Sequence, residues 1–480
     1  MDGEERRQAL DRAGGLAENL SALAPLADRE TQSVFARARL DIAALLDDHE
    51  QMEKWAREVR SPFHRQVLEN LRKNPTGRRI LLPFRRAIQK HDACLPASIS
   101  SALATMGVDL EADAMAAEIT YGGTPAWAAA EWLEKRGLVV RFFAATPEVA
   151  TLLIQNGIAF VLTLEADEKA HAVAAVGLDE SAGTLLIHDP RAFRTGECLL
   201  EAMGQSRLPL GPRGMAAVPP DKASLLDGLL TARDTEVMTA SHHHQRALMT
   251  NGPTAARRVV CEVANRQPQH AGTRWLGAVQ ALEDGRTGEA LADFQGLLNE
   301  FPGCPYVRRS LLSACRALGN TALMREVLAN VVDCGRLPGV HSYQDWWYPP
   351  ASYVCEYADL LRLSATSRQE ARLVLNSLIR RECTFAGAWH VLGDLLWHKH
   401  DTAGALLSYR LASCLASDDE HYARAYSDAL REAGREDERS VLARDAGPHF
   451  RSLTPCHGAV DLVDQCARGL RLPRARPGRL

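Results

Sequence analysis

The sequence has no CxxC pair and no other close cysteine spacing of the kind that binds metals, although it contains 11 cysteines. It also lacks a run of about twenty apolar residues, so it predicts no membrane-spanning helix. Residues 1–7 are charged and do not resemble a secretory signal. These absences predict a soluble, cytoplasmic protein with reduced thiols, and we expect neither a metal site nor a cofactor.

An excess of basic residues is also missing. Charged residues make up 24% of the chain and the formal net charge is −4. No global positive field therefore concentrates nucleic acid near the protein. The expected partner is a peptide or protein substrate rather than a nucleic acid or a membrane.

At 480 residues the chain is long enough for two or three domains. Residues 16–72 are rich in Ala, Leu, Glu and Arg at helical spacing, and a turn cluster at 73–77 ends that pattern. We therefore predict an N-terminal helical segment over residues 1–78.

Between residues 80 and 219 the pattern changes to helices followed by short apolar runs typical of strands. The runs lie at 138–143, 158–164, 171–177, 184–188 and 215–218. Helices first and strands afterwards indicate an α+β domain with an antiparallel sheet. The predicted limits of this domain are 79–222.

From residue 237 onward we predict no strands, because the sequence repeats with a period of 34 residues. The predicted repeat starts are 237, 271, 305, 352, 386 and 420. Trp389-His390-Val391-Leu392-Gly393, followed by Ala405 and Tyr409, resembles a tetratricopeptide repeat. The expected architecture is an all-α solenoid over 237–445, followed by a tail over 446–480.

The step from 305 to 352 exceeds the period, so an insertion interrupts the array. It is rich in aromatic residues: Tyr343, Trp346, Trp347 and Tyr348. Packing between helices is one interpretation of this cluster. The other is that Trp346, Trp347 and Tyr348 bind an extended peptide substrate.

Cys94 is the candidate nucleophile. It stands where a helix is predicted to begin, because Pro96 suits a first helical turn and apolar residues follow at helical spacing. The positive end of a helix dipole and a nearby imidazolium both lower a thiol pKa. The position therefore favours a reactive thiolate.

His171 and Asp189 are the candidate base and orienting acid. His171 begins one apolar run and Asp189 ends the next, with a turn predicted at 178–183. An antiparallel hairpin places the start of its first strand beside the end of its second. We therefore expect the two side chains to be neighbours, completing a triad with Cys94.

Gln89 lies upstream of the nucleophile, where its amide can donate to the oxyanion of a tetrahedral intermediate. The order of Gln89, Cys94, His171 and Asp189 resembles papain-like enzymes. Two local motifs, Cys94-Leu95-Pro96-Ala97 and residues 183–190, resemble those of the bacteriocin-processing, double-glycine-leader cysteine peptidases. The resemblance is greatest to bacterial relatives that are fused to tetratricopeptide repeats. The resemblance implies the roles of oxyanion donor, nucleophile, base and orienting acid for the four residues.

Three functions are compatible with these residues. The first is a peptidase that hydrolyses an acyl-enzyme formed on Cys94. The second is an acyltransferase or amide synthase that delivers the same acyl group to an amine. The third is a non-catalytic scaffold in which the repeats bind a partner, and an intact triad disfavours it.

Overall fold

The computed structural model of the protein describes residues 3–24, 29–46, 48–165, 170–192, 195–205, 208–333, 337–341 and 344–438. The described residues fall into two compact units. The first lies within Met1–Leu318 and Arg336–Trp347, and the second within Gly319–Gly335 and Tyr348–Leu480. Among these residues, no helix combines the length and apolar character needed to cross a bilayer.

The first unit begins with four helices, as the Ala- and Leu-rich spacing predicts. They are α1 (Gly3–Leu23), α2 (Arg29–Leu45), α3 (His49–Glu58) and α4 (Pro62–Lys73). Ser61 caps α4 by accepting a hydrogen bond from the His64 amide, and Pro62 opens its first turn. The Asn70 side chain donates a 2.9 Å hydrogen bond to the carbonyl of Ala182, so α4 supports the turn of a hairpin described below.

An antiparallel sheet follows, as predicted. Its strands are β1 (Arg79–Leu81), β2 (Val139–Ala144), β3 (Phe160–Glu165), β4 (Ala170–Asp179), β5 (Thr184–His188), β6 (Thr195–Leu199), β7 (Arg213–Val218), β8 (Leu337–His341) and β9 (Gln344–Trp347). The order across the sheet is β2-β7-β3-β4-β5-β6-β8-β9, and β1 pairs with β4 beside this path.

Helices cover both faces of the sheet. Those between the strands are α5 (Cys94–Ala104), α6 (Ala112–Ile119), α7 (Ala126–Glu134), α8 (Pro147–Gln155), α9 (Leu200–Gln205) and α10 (Ala223–Leu229). Side chains alternate between the faces. Phe142 packs in a core with α5 and α7, whereas Phe143 packs in the opposite core with α8.

Two strands of this region were not predicted from the sequence. β1 and β6 are short and carry charged residues, so they lack the apolar runs that mark β3, β4 and β5. Each is instead defined by pairing with a buried strand: Ile80 opposite Leu178 and Cys198 opposite Leu185. Such pairing is a property of the sheet and leaves little trace in a short segment.

In the described part of the chain, eleven further helices follow α10. They are α11 (Ala232–Asn251), α12 (Pro253–Arg266), α13 (Ala271–Glu283), α14 (Thr287–Glu300), α15 (Pro305–Leu318), α16 (Thr321–Asp333), α17 (Ala351–Arg362), α18 (Arg368–Arg381), α19 (Ala386–Trp397), α20 (Thr402–Leu415) and α21 (Glu420–Glu432). Within each unit, consecutive helices pack against one another, as in tetratricopeptide-repeat solenoids.

The predicted repeat starts agree closely with these helices. α13, α15, α19 and α21 begin at residues 271, 305, 386 and 420, and α17 begins at 351, one residue before its predicted start. The first start is wrong, because α11 begins at Ala232 and not at 237. The predicted small positions are buried, for example Ala290 and Ala405, both fully inaccessible to solvent.

The prediction of no strands beyond residue 237 is wrong. The insertion contains the hairpin β8–β9, in which Leu337 pairs with Trp347. His341 pairs with Cys198, so β8 extends the sheet beyond β6 within the first unit. The prediction failed because it rested on the helical period on either side of the insertion, which carries no information about pairing with an edge strand.

Candidate functional site

Cys94 is the first residue of α5, as predicted. Ala93 precedes it in a non-helical conformation, and the apolar residues that follow Cys94 are buried in the core. Cys94 itself is half-buried. The amides of a first helical turn have no acceptor within the helix, so the thiol sulfur lies at the positive end of α5.

The hairpin of β4 and β5 brings His171 beside Asp189, as its antiparallel geometry predicts. The ladder pairs Ala174 with His188 and Asp179 with Thr184. His171 Nε2 lies 2.8 Å from Asp189 Oδ1. Asp189 is only 5% exposed, and Oδ1 also accepts a 2.8 Å hydrogen bond from the Arg191 amide. The carboxylate is therefore held in place to orient the imidazole.

Cys94 and His171 shift each other's pKa toward the charged pair. Burial alone raises the pKa of Cys94, but the His171 imidazole, the Ala172 amide and the Arg191 charge together bring it below its ordinary value. Burial alone lowers the pKa of His171, yet Asp189 and Cys94 raise it overall. These opposite shifts favour a thiolate–imidazolium pair.

The two nitrogens of His171 have different surroundings. Nε2 interacts with Asp189, whereas Nδ1 is buried without a hydrogen bond of regular geometry. Because Asp189 occupies Nε2, Nδ1 is the nitrogen left to exchange a proton with Cys94. This arrangement is suited to general base and general acid catalysis.

Gln89 lines the same cavity as Cys94 and His171. Its Nε2 donates a 2.5 Å hydrogen bond to the carbonyl of His91, and its Oε1 is buried without a partner. An amide nitrogen carries two hydrogens, so one remains for an oxyanion. The backbone around it is constrained, since the Gln89 amide donates a 3.0 Å bond to Pro190 and His91 has a φ of 49°.

Residues 81–199 match the sequence profile of the Peptidase_C39 like family. This segment is a Peptidase_C39-like domain. The match spans all four residues of the site, from Gln89 to Asp189. It shows a cysteine-peptidase-like fold, and the chain joins that fold to helical repeats.

Among solved structures, the chain is similar to a tetratricopeptide repeat protein from Parabacteroides merdae, with 8% identity over 48% of this chain and 87% of that one, and a TM-score of 0.37. It is also similar to yeast Tom70, with 10% identity over 92% and 87% of the two chains and a TM-score of 0.33. MamA from Desulfovibrio magneticus has 12% identity over 49% and 98%, and a TM-score of 0.23. No curated protein matches the sequence.

The cavity of the Peptidase_C39-like domain has a volume of about 460 Å³. Gly122 and Gly123 line it beside Cys94, and both have positive φ. Phe142 and His242 also line the cavity. It can therefore accept a chain segment beside the thiol, not only a small molecule.

Several residues of this cavity were missed from the sequence. Arg191 follows Asp189 by two residues, and its proximity to the acid was an available signal. Ala172 contributes only a backbone amide, which no side-chain pattern reveals. His242 and Arg309 belong to helices of the predicted repeat array, so only the folded first unit brings them to Cys94.

The aromatic insertion is described only in part. Tyr343 and the side chains of Trp346 and Trp347 lie outside the described residues, although the backbone of the two tryptophans forms β9. Tyr348 is 45% exposed, and the Arg381 guanidinium lies 4.9 Å from its ring centroid. The proposed peptide contacts of these aromatics stay a prediction.

The three consecutive histidines have separate surroundings. His242 stacks on Phe142 at 3.8 Å, His244 Nε2 lies 3.1 Å from Gln280 Oε1, and His243 is exposed. In the described part of the chain, no group of three or more His, Cys, Asp or Glu side chains could hold a metal. The divergent directions follow from the angle of about 100° between consecutive helical residues.

Proposed function

We propose that this protein is a cysteine peptidase in which Cys94, His171 and Asp189 cleave a peptide or protein substrate. The observation that carries the proposal is the series of neighbouring side chains from Asp189 through His171 to Cys94, in which Asp189 Oδ1 lies 2.8 Å from His171 Nε2, at the wall of a cavity large enough for a peptide. Each member has the environment its role needs: a buried acid, a positioned base and a thiol of lowered pKa.

The reaction proceeds through an acyl-enzyme. The Cys94 thiolate attacks the peptide carbonyl carbon, and the carbonyl electrons move to oxygen. As the C–N bond breaks, the His171 imidazolium gives its proton to the leaving amine. Water then loses a proton to His171 and attacks the thioester, which releases the acid and restores the thiolate.

The transient oxyanion needs donors at the start of α5. The backbone amide of Cys94 lies in the first helical turn and is free of helical acceptors. Gln89 supplies a second donor through the Nε2 hydrogen that is not engaged by His91. Loss of one such donor costs about 10²–10³ in turnover.

The test is digestion of a proteome-derived peptide library, with new termini identified by mass spectrometry. The wild-type protein should generate cleavage products, and Cys94→Ala should generate none. Hydroxamates formed in added hydroxylamine without hydrolysis would instead assign the acyl group to amine transfer. No acyl product of either kind, together with a Cys94 no more reactive than the exposed Cys261, would reject the triad as catalytic.

Labelling by iodoacetamide measures the thiolate independently of any substrate. Reactivity requires the thiolate, so it rises as the pH increases through each thiol's pKa. The pKa of Cys94 lies below its ordinary value, whereas burial raises that of Cys198 to about 12. At pH 6–7 we expect Cys94 to be alkylated first.

We also propose that the helical repeats hold the substrate or a protein partner. The exposed Tyr348 supports this, because a rigid aromatic side chain provides contact area at low entropic cost. Trp346→Ala/Trp347→Ala should weaken substrate binding while labelling of Cys94 by iodoacetamide stays unchanged. Unaltered binding, or unfolding of the double variant, would leave these aromatics a packing role.

A further inference from the structure

A second and larger cavity adjoins the catalytic one within the first unit. It has a volume of about 850 Å³ and lies among α7, β2, α11 and α12. Phe142 and His242 line both cavities. Their stacked rings, with centroids 3.8 Å apart, are thus a shared wall, and we call the larger cavity the α11 groove.

The floor of the α11 groove combines apolar surface with unmet hydrogen-bonding groups. Val140 and Phe142 are buried there. His242 is only 6% exposed, yet its Nδ1 has no hydrogen-bond partner, and neither has the buried Nε1 of Trp127. Burial lowers the pKa of His242 to about 3, so the ring is neutral. Buried polar atoms without a protein partner are uncommon, and bound water or a ligand commonly satisfies them.

The rim of the α11 groove has an excess of negative charge. Three of its acids are neutralised by arginines at the rim: Glu131 by Arg246 at 2.5 Å, Glu236 by Arg266 at 2.8 Å and Asp227 by Arg141 at 2.8 Å. These pairs use all the arginines that line the groove.

Two further rim carboxylates have no such partner. Glu134 and Glu262 line the groove and are exposed. In the part of the chain that the structure describes, neither carboxylate forms an ion pair. The groove therefore has apolar walls and two uncompensated negative charges, which together suit a cationic side chain with an apolar stem.

The register of the sheet gives the distance from His171, beside Cys94, to Phe142 in the wall of the α11 groove. His171 is opposite Leu164 on β3, and Phe142 is opposite Met215, which is opposite Val161 on β3. Three inter-strand steps of about 4.8 Å and three residues along β3 amount to roughly 17 Å. An extended peptide covers this distance in about five residues.

We propose that the α11 groove binds an arginine or lysine side chain of the substrate, about four to six residues from the bond attacked by Cys94. The cationic group pairs with Glu134 and Glu262, the two rim carboxylates that form no ion pair with the described residues. The inference deepens the proposed peptidase function by naming a basic substrate segment, and its binding step does not require catalysis.

The binding test uses the full-length protein with its thiols alkylated by iodoacetamide. The probe is acetyl-Leu-Arg-Leu-Arg-Leu-amide, and its matched control replaces both arginines by citrulline, which keeps the shape but not the charge. By calorimetry at low salt, the arginine peptide should bind about tenfold more tightly. Glu134→Gln/Glu262→Gln should remove that difference.

A control variant separates a local effect from a change in net charge. Glu58→Gln/Glu148→Gln removes two exposed carboxylates that do not line the groove, so the preference for arginine should persist. Equal binding of the arginine and citrulline peptides, absence of binding, or an equal loss in the control variant would each overturn the proposal.

A second test measures the spacing. Peptides carrying an N-terminal chloroacetyl group or a C-terminal chloromethyl ketone alkylate a thiolate by losing chloride, and their single arginine is placed one to eight residues from the reactive carbon. In one of the two series, labelling of Cys94 should be fastest with arginine at positions four to six, and Glu134→Gln/Glu262→Gln should flatten that maximum. Labelling without dependence on arginine position would refute the groove and leave the peptidase proposal intact. If Cys94 proves unreactive even to iodoacetamide, the peptidase proposal fails. The calorimetry then still tests whether the α11 groove binds the arginine peptide.

Discussion

The sheet and the helical repeats are organised on different length scales. Within each unit, each helix of the repeats packs on the next one along the chain, for example α19 on α20. In the sheet, β1 pairs with β4, although about a hundred residues separate Ile80 from Leu178. The proposed catalytic side chains have the same long-range character, since Cys94 and Asp189 come from distant segments. The fold of a locally organised region can thus be predicted from the period of its sequence, whereas the geometry of an active site depends on pairing between distant segments.

The Asp394 network of the repeats and the candidate site use polar side chains differently, although His390 Nδ1 in the second unit is also buried without a partner. In the second unit, Tyr409 donates a 2.7 Å hydrogen bond to Asp394, whose other oxygen pairs with Arg362 at 2.9 Å. This network is closed and supports packing. In the site, His171 Nδ1 and Gln89 Oε1 are buried with their hydrogen-bonding capacity unmet. Incomplete satisfaction is expected where a substrate completes the environment.

The largest contrast between the regions should come from two cysteines. Cys94→Ala should reduce turnover by about 10⁴-fold or more, because no other group replaces the nucleophile. Its melting temperature should stay close to wild type, since Cys94 is half-buried at a helix start. Cys355→Ala, at a buried position of α17, should lower stability by about 1 kcal/mol and preserve turnover. Comparable turnover in both variants would refute the assignment of Cys94.

Asp189→Asn should reduce turnover by about 10²–10⁴ and shift its pH dependence. The hydrogen bond and charge of Asp189 raise the pKa of His171. Without them the pKa falls, so the imidazolium is lost at lower pH and the alkaline limb of the profile moves to lower pH. The measurement is turnover against pH. An unchanged alkaline limb would show that His171 is not the titrating acid.

Gly177→Ala should destabilise the sheet by about 2–3 kcal/mol in chemical unfolding. Gly177 lies at a bulge of β4 where β1 approaches, and an added Cβ would lie 2.4 Å from the Ile80 carbonyl oxygen. The backbone of β1 at Ile80 and Leu81, together with the Leu186 side chain, leaves little room for adjustment. Gly228→Ala in α10 is the control, because its Cβ meets nothing within 4 Å. Equal stability of the two variants would contradict the close approach of β1.

Gly393→Ala should have a smaller cost, about 1–2 kcal/mol, in the repeats. Its added Cβ would lie 2.7 Å from the Tyr409 ring, a side chain that can shift but is held by Asp394. In α14, Gly296 has no atom within 4 Å, so Gly296→Ala should stabilise the helix by about 0.5–1 kcal/mol. Stabilisation by both substitutions would show that Tyr409 does not restrict Gly393.

Much of the fold and the site could be predicted from local patterns. Pro96 and the apolar spacing after Cys94 indicated the start of α5, and the runs around residues 178–183 indicated the hairpin that joins His171 to Asp189. These inferences succeed because capping, turn chemistry and side-chain alternation depend on a few neighbouring residues. The small and large positions of the repeats follow from the same local rule.

The sequence by itself indicated the candidate residues for the chemistry, the start of α5, the hairpin of β4 and β5, and the period of the helices. Only the tertiary structure decided that β6 and the β8–β9 hairpin join the sheet, that the Ala172 amide meets Cys94, and that His242 lines the same cavity as Cys94. Backbone amides carry no side-chain signature, and the pairing of β8 with β6 connects Cys198 with His341, more than a hundred residues further along the chain. Their effects arise from packing in three dimensions, which no short window of sequence encodes.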